Sequence, residues 1–332
     1  MRKKTKHDKI TSYNKILSEV IYRRYNMDFE ENLSEEDVKL RFITPALLKR
    51  WNKDTQIKME VSFTAGRVIV RGNMSTRAKS KKADYILYYK NTKPLAVVEA
   101  KKNIFGVGYG MQQAKEYAEI LDIPFAYSSN GKSFLEYDFL TGKEREIDLD
   151  KFPSPEELWH RYKIEKNISE NEELIINEPY YYADGIKKPR YYQEIAINRT
   201  VEAIAKGKNR LLLVMATGTG KTFTAFQIIH RLKKSGLKRK VLYLADRNML
   251  IDQTMAQDFQ PFKNVMTKIE KRNMDSSYEI YMALYQQLTD GQGIDIFKQF
   301  KPDFFDLIIV DECLRGSAAG DSNWRKILEY YN

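Results

Sequence analysis

The chain has 332 residues, with 56 Lys and Arg against 45 Asp and Glu, a net charge of +11 and a pI near 9.3. That length suggests about two domains, and the basic balance points to a polyanionic partner, most simply nucleic acid. The single cysteine, Cys313, excludes an internal disulfide and fits a reducing cytoplasm, and His7, His160 and His230 are too scattered for a zinc cluster. No signal peptide and no membrane span is expected, because the basic N-terminus runs into polar sequence and no apolar stretch reaches spanning length.

Ile10, Tyr13, Ile16, Leu17, Val20, Ile21 and Tyr25 recur at helical spacing and predict an amphipathic helix. Ser34 starts a second one, with Glu35, Glu36 and Asp37 favouring its positive end, and Pro45 begins or kinks a further turn. From residue 56 to 70 the period shifts toward strands: Met59, Val61 and Phe63 alternate with polar residues, and Val68-Ile69-Val70 is β-branched. Arg67, Arg71, Arg77, Lys79, Lys81 and Lys82 gather there, a pattern that a solvated loop would also give.

Residues 83–89 read as a strand, 90–93 as a turn, and 94–101 as a second, more buried strand. Such a hairpin can bring Asp84 near Glu99, and Lys101 shares a face with Glu99 because side chains alternate. Two carboxylates and an ammonium then converge, with Asp84 and Glu99 as ligands suited to Mg²⁺. Lys101 can orient or deprotonate a water, or balance charge in the transition state. A surface ion cluster on a hairpin has the same spacing.

Asp84…Glu99-Ala100-Lys101 resembles the PD-(D/E)xK nuclease core, with Ala83 where the family has proline. The helix that follows carries Gln113 and Tyr117 in a Gln-x-x-x-Tyr element, and short strands are predicted around Phe125–Tyr127 and Phe134–Tyr137. This combination, with the stretch from Arg41 to Trp51, resembles restriction (HsdR-type) subunits of type I restriction–modification enzymes. The resemblance implies that Gln113 and Tyr117 support DNA binding or cleavage, and that the acidic residue of the N-terminal helix is Glu35, with Glu36 the close alternative.

Acidic residues, amides and prolines between 151 and 188 predict a connecting segment with a short helix around Glu156–Tyr162. A motor-like region is expected over 189–332. Tyr191-Tyr192-Gln193 resembles the adenine-reading element of superfamily 2 helicases, in which the Gln193 amide would pair with the base edge. The apolar stretch Leu211–Val214 predicts a strand leading into Thr217-Gly218-Thr219-Gly220-Lys221-Thr222 and a helix. That order makes a phosphate loop, although Met215 stands where the strict pattern has its first glycine. Its glycines turn backbone N–H groups toward phosphates, Lys221 would reach the β- and γ-phosphates of ATP, and Thr222 would ligate Mg²⁺. After a strand over 240–245, the resemblance to such helicases implies that Arg247 is a candidate for phosphate contact with DNA, the alternative being a loop-capping arginine. The run Phe305–Val310 predicts a buried parallel strand ending in Asp311 and Glu312, the first for Mg²⁺ and the second to position the attacking water.

The expected fold is α/β: a nuclease-like mixed domain over 1–150, a linker, then a RecA-like doubly wound sheet over 189–332. Leu314 replaces the histidine of the family's Asp-Glu-Cys-His pattern, which puts coupling of hydrolysis to movement in question but not ATP binding. The second lobe of such motors is not expected within 332 residues, so the chain reads as an N-terminal portion and a poor ATPase by itself. The implied partners are double-stranded DNA and the specificity and methyltransferase subunits, in the cytoplasm. A DNA-binding P-loop NTPase module without nuclease activity is the alternative.

Overall fold

Residues 33–64, 68–71, 74–77, 80–90, 92–183, 188–269, 275–289, 296–312 and 323–331 are described by a computed structural model. The helix predicted from Ile10 to Tyr25 lies outside them, as do Arg67, Lys79, Cys313 and Leu314. The chain divides into two units, Met1–Asn167 and Ile168–Asn332.

In the first unit, Ser34 caps helix α1 (Glu35–Val38) by a reciprocal capping box with Asp37. The helix continues through a π-helical segment, Lys39–Ile43, into α2 (Thr44–Leu48). Thr44 N–H reaches back to Lys39 O, and Pro45, next in line, has no N–H to offer an ordinary helical bond. The expected proline irregularity is thus a widened turn, of a kind that recurs at functional sites. It carries Lys39 inward, where only 3% of its surface stays exposed.

Six strands follow in the order β1 (Ile57–Thr64), β4 (Ser80–Tyr89), β5 (Lys93–Ala100), β6 (Phe125–Ser129), β7 (Ser133–Asp138) and β8 (Lys143–Asp148). The strands β2 (Val68–Arg71) and β3 (Met74–Arg77) form a separate antiparallel pair. All neighbours in the large sheet are antiparallel except β5 and β6, which are joined by the crossover helix α3 (Met111–Leu121). Ala114, Tyr117, Ala118 and Leu121 of α3 are buried, and β5 is buried throughout, as a strand covered on both faces should be.

The predicted connecting segment is built into its neighbours. Helix α4 (Pro155–Lys166) packs on β4 and β5, where Trp159 stacks on Tyr89 with 4.8 Å between ring centroids. Most of its charged residues are exposed, with Arg161 turned in to the buried Glu136 and Asp138, so composition alone disguised a helix whose Leu158, Trp159 and Tyr162 complete a core. Helix α5 (Glu170–Ile176) goes with the second unit, where Arg231 donates to Ile176 O at 2.5 Å and to Asn198 Oδ1 at 2.8 Å.

The second unit alternates α6 (Tyr191–Ala205), α7 (Lys221–Lys234), β9 (Val241–Ala245), α8 (Asn248–Ala256), β10 (Met266–Lys268), β11 (Ile280–Leu284), α9 (Tyr285–Leu288), β12 (Leu307–Val310) and α10 (Asn323–Tyr330). Its sheet runs β10–β11–β9–β12, parallel at every pair. One core cluster holds Phe226, Ile229 and Phe259 and another Phe297, Phe300 and Ile327, with alternate residues of β9 and β11 shared between them. Apolar layers on both faces are what a doubly wound sheet requires.

Two expectations need correction. Leu211–Val214 forms no strand: it pairs with none of the four strands, and Val214 is 79% exposed. A strand exists only through its ladder, and this run forms none among the described residues. For the same reason β12 is an edge strand, half-exposed along its length, although its unbroken apolar run suits a central one.

His230 of α7 sits against Tyr181 and Phe226, with centroids 5.1 and 6.2 Å away. Burial pushes its pKa down to about 4 from 6.5, aided by the charges of Lys234 and Arg231. The unfolded chain therefore takes up this proton first, so the stability that neutral His230 confers is complete above pH 6.5 and is lost as pH falls through 4. In His230→Gln, the unfolding free energy of the second unit, read by urea titration, is expected to fall less steeply across that window, by about 1–2 kcal/mol after solvent screening.

Candidate functional site

The register of the first sheet sets Tyr85 opposite Val98, and there the β4–β5 ladder ends. The next two positions, Asp84 and Glu99, replace it with side-chain bonds. Asp84 Oδ2 accepts from Ala100 N–H at 2.8 Å, and Glu99 Oε1 accepts from Asp84 N–H at 3.3 Å. The acids predicted to meet do meet, on one side of the sheet. Glu99 is 1% exposed, and its pKa is pushed up to about 8, first by burial and then by the negative charge of Asp84.

Gln113 Nε2 donates to Glu99 Oε2 at 2.8 Å and to the Tyr117 hydroxyl at 3.0 Å, one helical turn along α3. Tyr117 rests edge-on against Phe63. Lys101, just past β5, has its N–H on Ser129 O at 2.8 Å and its Nζ 3.7 Å from Glu35 Oε1. Its charge pulls the Glu99 pKa down and that of Glu35 pushes it up, so both groups lie within electrostatic reach of the buried carboxylate. Glu35 thus stands beside the predicted lysine, whereas its alternative, Glu36, pairs with Lys39 at 2.6 Å.

Sequence reading missed three residues here. Lys39 Nζ lies 2.5 Å from Glu60 Oε1 and 3.0 Å from Asp84 Oδ1. Burial opposes its charge, but the hydrogen bonds it donates to Glu36, Glu60 and Asp84 outweigh that and raise its pKa well above the usual lysine range. Glu60 falls opposite Asp84, between the pairs Met59–Tyr85 and Val61–Ala83, with a left-handed φ of 54°. Lys82 also bonds to Glu60. The third is Gly110: a Cβ there would lie 2.8 Å from Ser128 Oγ and 3.1 Å from Lys101 Cγ. Gly110→Ala is expected to displace Lys101, costing roughly tenfold in any reaction at this site and about 1–2 kcal/mol in stability, measurable by turnover and urea unfolding of the same preparation.

A hard divalent cation suits this donor set, since two carboxylates converge, one of them buried with its pKa raised by that burial and by the charge of the other. Among the described residues no group of three or more His, Cys, Asp or Glu is placed as a metal cage, so Asp84 and Glu99 would act as a pair completed by water.

The second site lies at the N-terminus of α7. Gly218 and Gly220 have φ of 77° and 83°, conformations only glycine adopts freely, and Thr219 closes the turn with its N–H and hydroxyl on Ala216 O. Thr217 and Gly218 are exposed at the tip. Gln193 braces this loop: its Nε2 donates to Thr219 O at 2.9 Å and its Oε1 accepts from Arg190 N–H at 2.8 Å. Lys221 Nζ lies 2.6 Å from Glu312 Oε1. Asp311 Oδ2 accepts from the Tyr243 hydroxyl at 2.9 Å, and that hydroxyl also bonds with Thr222. Thr222 and Asp311, the predicted Mg²⁺ pair, are therefore linked through a tyrosine that sequence reading did not single out. Arg247 is exposed after β9, 3.6 Å from Asp246.

A nuclease-like sheet with an acid–acid–lysine cluster, together with a RecA-like phosphate-loop unit, defines a restriction-type architecture. Residues 54–153 match the family described as type I restriction enzyme R protein N terminus, and 186–332 that described as type III restriction enzyme, res subunit. The chain is 50% identical over 307 residues to the EcoAI endonuclease subunit of Escherichia coli, covering 91% of this chain and 38% of that protein. It is 26% identical to the EcoKI endonuclease subunit of E. coli K12, over 99% of this chain and 33% of that protein. A solved fragment assigned to an HsdR subunit from Vibrio vulnificus YJ016 is 40% identical with a TM-score of 0.74, over 91% of this chain and 54% of that one. The chain belongs to the HsdR-type R subunits of type I restriction enzymes, and spans less than two fifths of the length of the curated relatives named.

Proposed function

We propose that this chain carries the DNA-cutting and ATP-binding parts of an R subunit, the first unit as endonuclease domain and the second as the first lobe of a translocase. The observation that carries the reading is the meeting of Asp84 and Glu99 at the end of the β4–β5 ladder, with Gln113 bonded to one acid and the charge of Lys101 acting on it. Asp84 and Glu99 would hold Mg²⁺, which when bound polarises a phosphodiester and makes bound water more acidic. Gln113 fixes the outer oxygen of Glu99, and Tyr117 fixes Gln113 in turn. Lys101 orients the attacking water or offsets charge gathering on the phosphate.

In the second unit, Lys221 would exchange Glu312 for the β- and γ-phosphates of ATP, with Thr222 and Asp311 on Mg²⁺ and Glu312 left to position water. Gln193 and the phosphate loop share a bond, so an adenine on that amide would be sensed by the loop. Arg247 would touch DNA phosphates, in keeping with the net charge of +11. Double-stranded DNA and the specificity and methyltransferase subunits are the partners this reading requires, in the cytoplasm; among the described residues no helix is long and apolar enough to cross a membrane.

The test is cleavage of a plasmid bearing an unmodified site by the full-length R subunit assembled with its partner subunits. Linearisation dependent on Mg²⁺ and ATP, and abolished by EDTA, is the expected result. ATP binding without any Mg²⁺-dependent cleavage would instead favour a DNA-binding NTPase module with structural acids.

A further inference from the structure

Tyr243 stands in the middle of β9, opposite Ile309 of β12. Its ring is 1% exposed and packs edge-on against Phe259, with 5.4 Å between centroids, in the core cluster that α7 shares. A phenylalanine would fill that core as well, and a buried hydroxyl costs free energy unless it is hydrogen-bonded. This one donates to Asp311 Oδ2 at 2.9 Å. Burial, then the charge of Asp311, raise its pKa well above the usual tyrosine value of 10, so the phenol keeps the proton it donates. The same oxygen bonds with Thr222, and because the tyrosine proton is committed to Asp311, the threonine is the donor.

The direction of these bonds decides what a cation would meet. A hydroxyl ligates a metal through its oxygen lone pairs, and here the Thr222 proton is drawn off toward the tyrosine. Asp311 is fixed from two sides, since Oδ2 accepts from Tyr243 and Oδ1 from Glu312 N–H at 2.9 Å, and its own N–H is on Leu244 O at 2.8 Å. Each carboxylate oxygen therefore has one donor that sets its orientation and a further lone pair to offer. Thr222 begins a helix and Asp311 follows a strand, and the ring that joins them is locked in the core between. We propose that Tyr243 is a positioning residue of the nucleotide site, whose hydroxyl turns Thr222 and Asp311 toward a single Mg²⁺. The proposal rests on the reading of the second unit as the ATP-binding lobe. Outer partners of this kind, when removed, typically cost about tenfold to a hundredfold in metal affinity.

The experiment is titration of this chain with a fluorescent ATP analogue, once with saturating Mg²⁺ and once in EDTA, for wild type and Tyr243→Phe. The ratio of the two affinities isolates what the metal ligands contribute. Wild type is expected to bind more tightly with Mg²⁺. In Tyr243→Phe that advantage is expected to shrink about tenfold, while affinity in EDTA, which reports the phosphate loop and Lys221, stays within about twofold. Circular dichroism and melting should match wild type, since the change removes one atom from a ring whose contact with Phe259 remains. An unchanged Mg²⁺ advantage overturns the proposal. Equal weakening in both conditions, or loss of the native melt, makes the hydroxyl a structural bond and overturns it too. Tighter binding with Mg²⁺ would show that the hydroxyl obstructs the metal, the opposite of positioning. If wild type gains nothing from Mg²⁺, the reading of Thr222 and Asp311 as its ligands fails instead.

Discussion

Asp84→Asn and Lys101→Ala are each expected to lower DNA cleavage by the assembled enzyme ~10³-fold while leaving nucleotide binding unchanged. The two changes act differently. Asp84→Asn removes one of two carboxylates suited to a divalent cation, and it also takes a negative charge from the buried Lys39. The amide keeps an oxygen for Ala100 N–H, so the fold is retained while the charge is lost. Lys101→Ala leaves both acids in place and removes the cation whose charge acts on Glu99, so metal binding should persist without cutting. Gln113→Ala should sit between these and wild type, about tenfold to a hundredfold down, because Glu99 keeps its bond from Asp84 but loses the group that fixes its other oxygen. Rates of plasmid linearisation, with binding of a fluorescent ATP analogue as the control, check all three. Full cleavage by Lys101→Ala would remove that residue from the chemistry.

The proposed cutting site was legible in sequence where its parts lie close along the chain. Asp84 and Glu99 flank one hairpin, and Gln113 and Tyr117 are one turn apart on one helix, so period and spacing suffice. Lys39 and Glu60 were not legible, because their place depends on a helix docking and on the β1–β4 register, neither of which local pattern determines. Gly110 shows nothing in sequence, since its role is the Cβ that would strike Ser128 and Lys101. In the second unit, glycines and an adjoining Lys-Thr announce the phosphate loop, yet the strand expected before it is not formed. Leu211–Val214 has strand-like composition, but pairing belongs to the sheet and not to the segment. Composition also misled between 151 and 188, where polar residues cover the outer face of α4 and hide its aromatic inner face.

Replacing the acid that faces the loop lysine should strengthen nucleotide binding. Lys221 and Glu312 are 2.6 Å apart, both partly exposed, and an incoming triphosphate must break that pair while bringing its own negative charge toward Glu312. A half-exposed pair is worth about 1 kcal/mol after solvent screening, so Glu312→Gln is expected to bind ATP about threefold to tenfold more tightly. Lys221→Ala should bind at least ~10²-fold more weakly, because it removes the ammonium proposed to reach the terminal phosphates. Titration of this chain with a fluorescent ATP analogue reads both, without the rest of the subunit. The tightened Glu312→Gln form should nevertheless fail to support hydrolysis in the full-length enzyme, since the carboxylate proposed to position water is gone. Weaker binding by Glu312→Gln would mean that the ion pair orders the loop for its ligand. In that case the left-handed Glu312, φ 53°, would be a brace for Lys221 and not a gate that the triphosphate displaces.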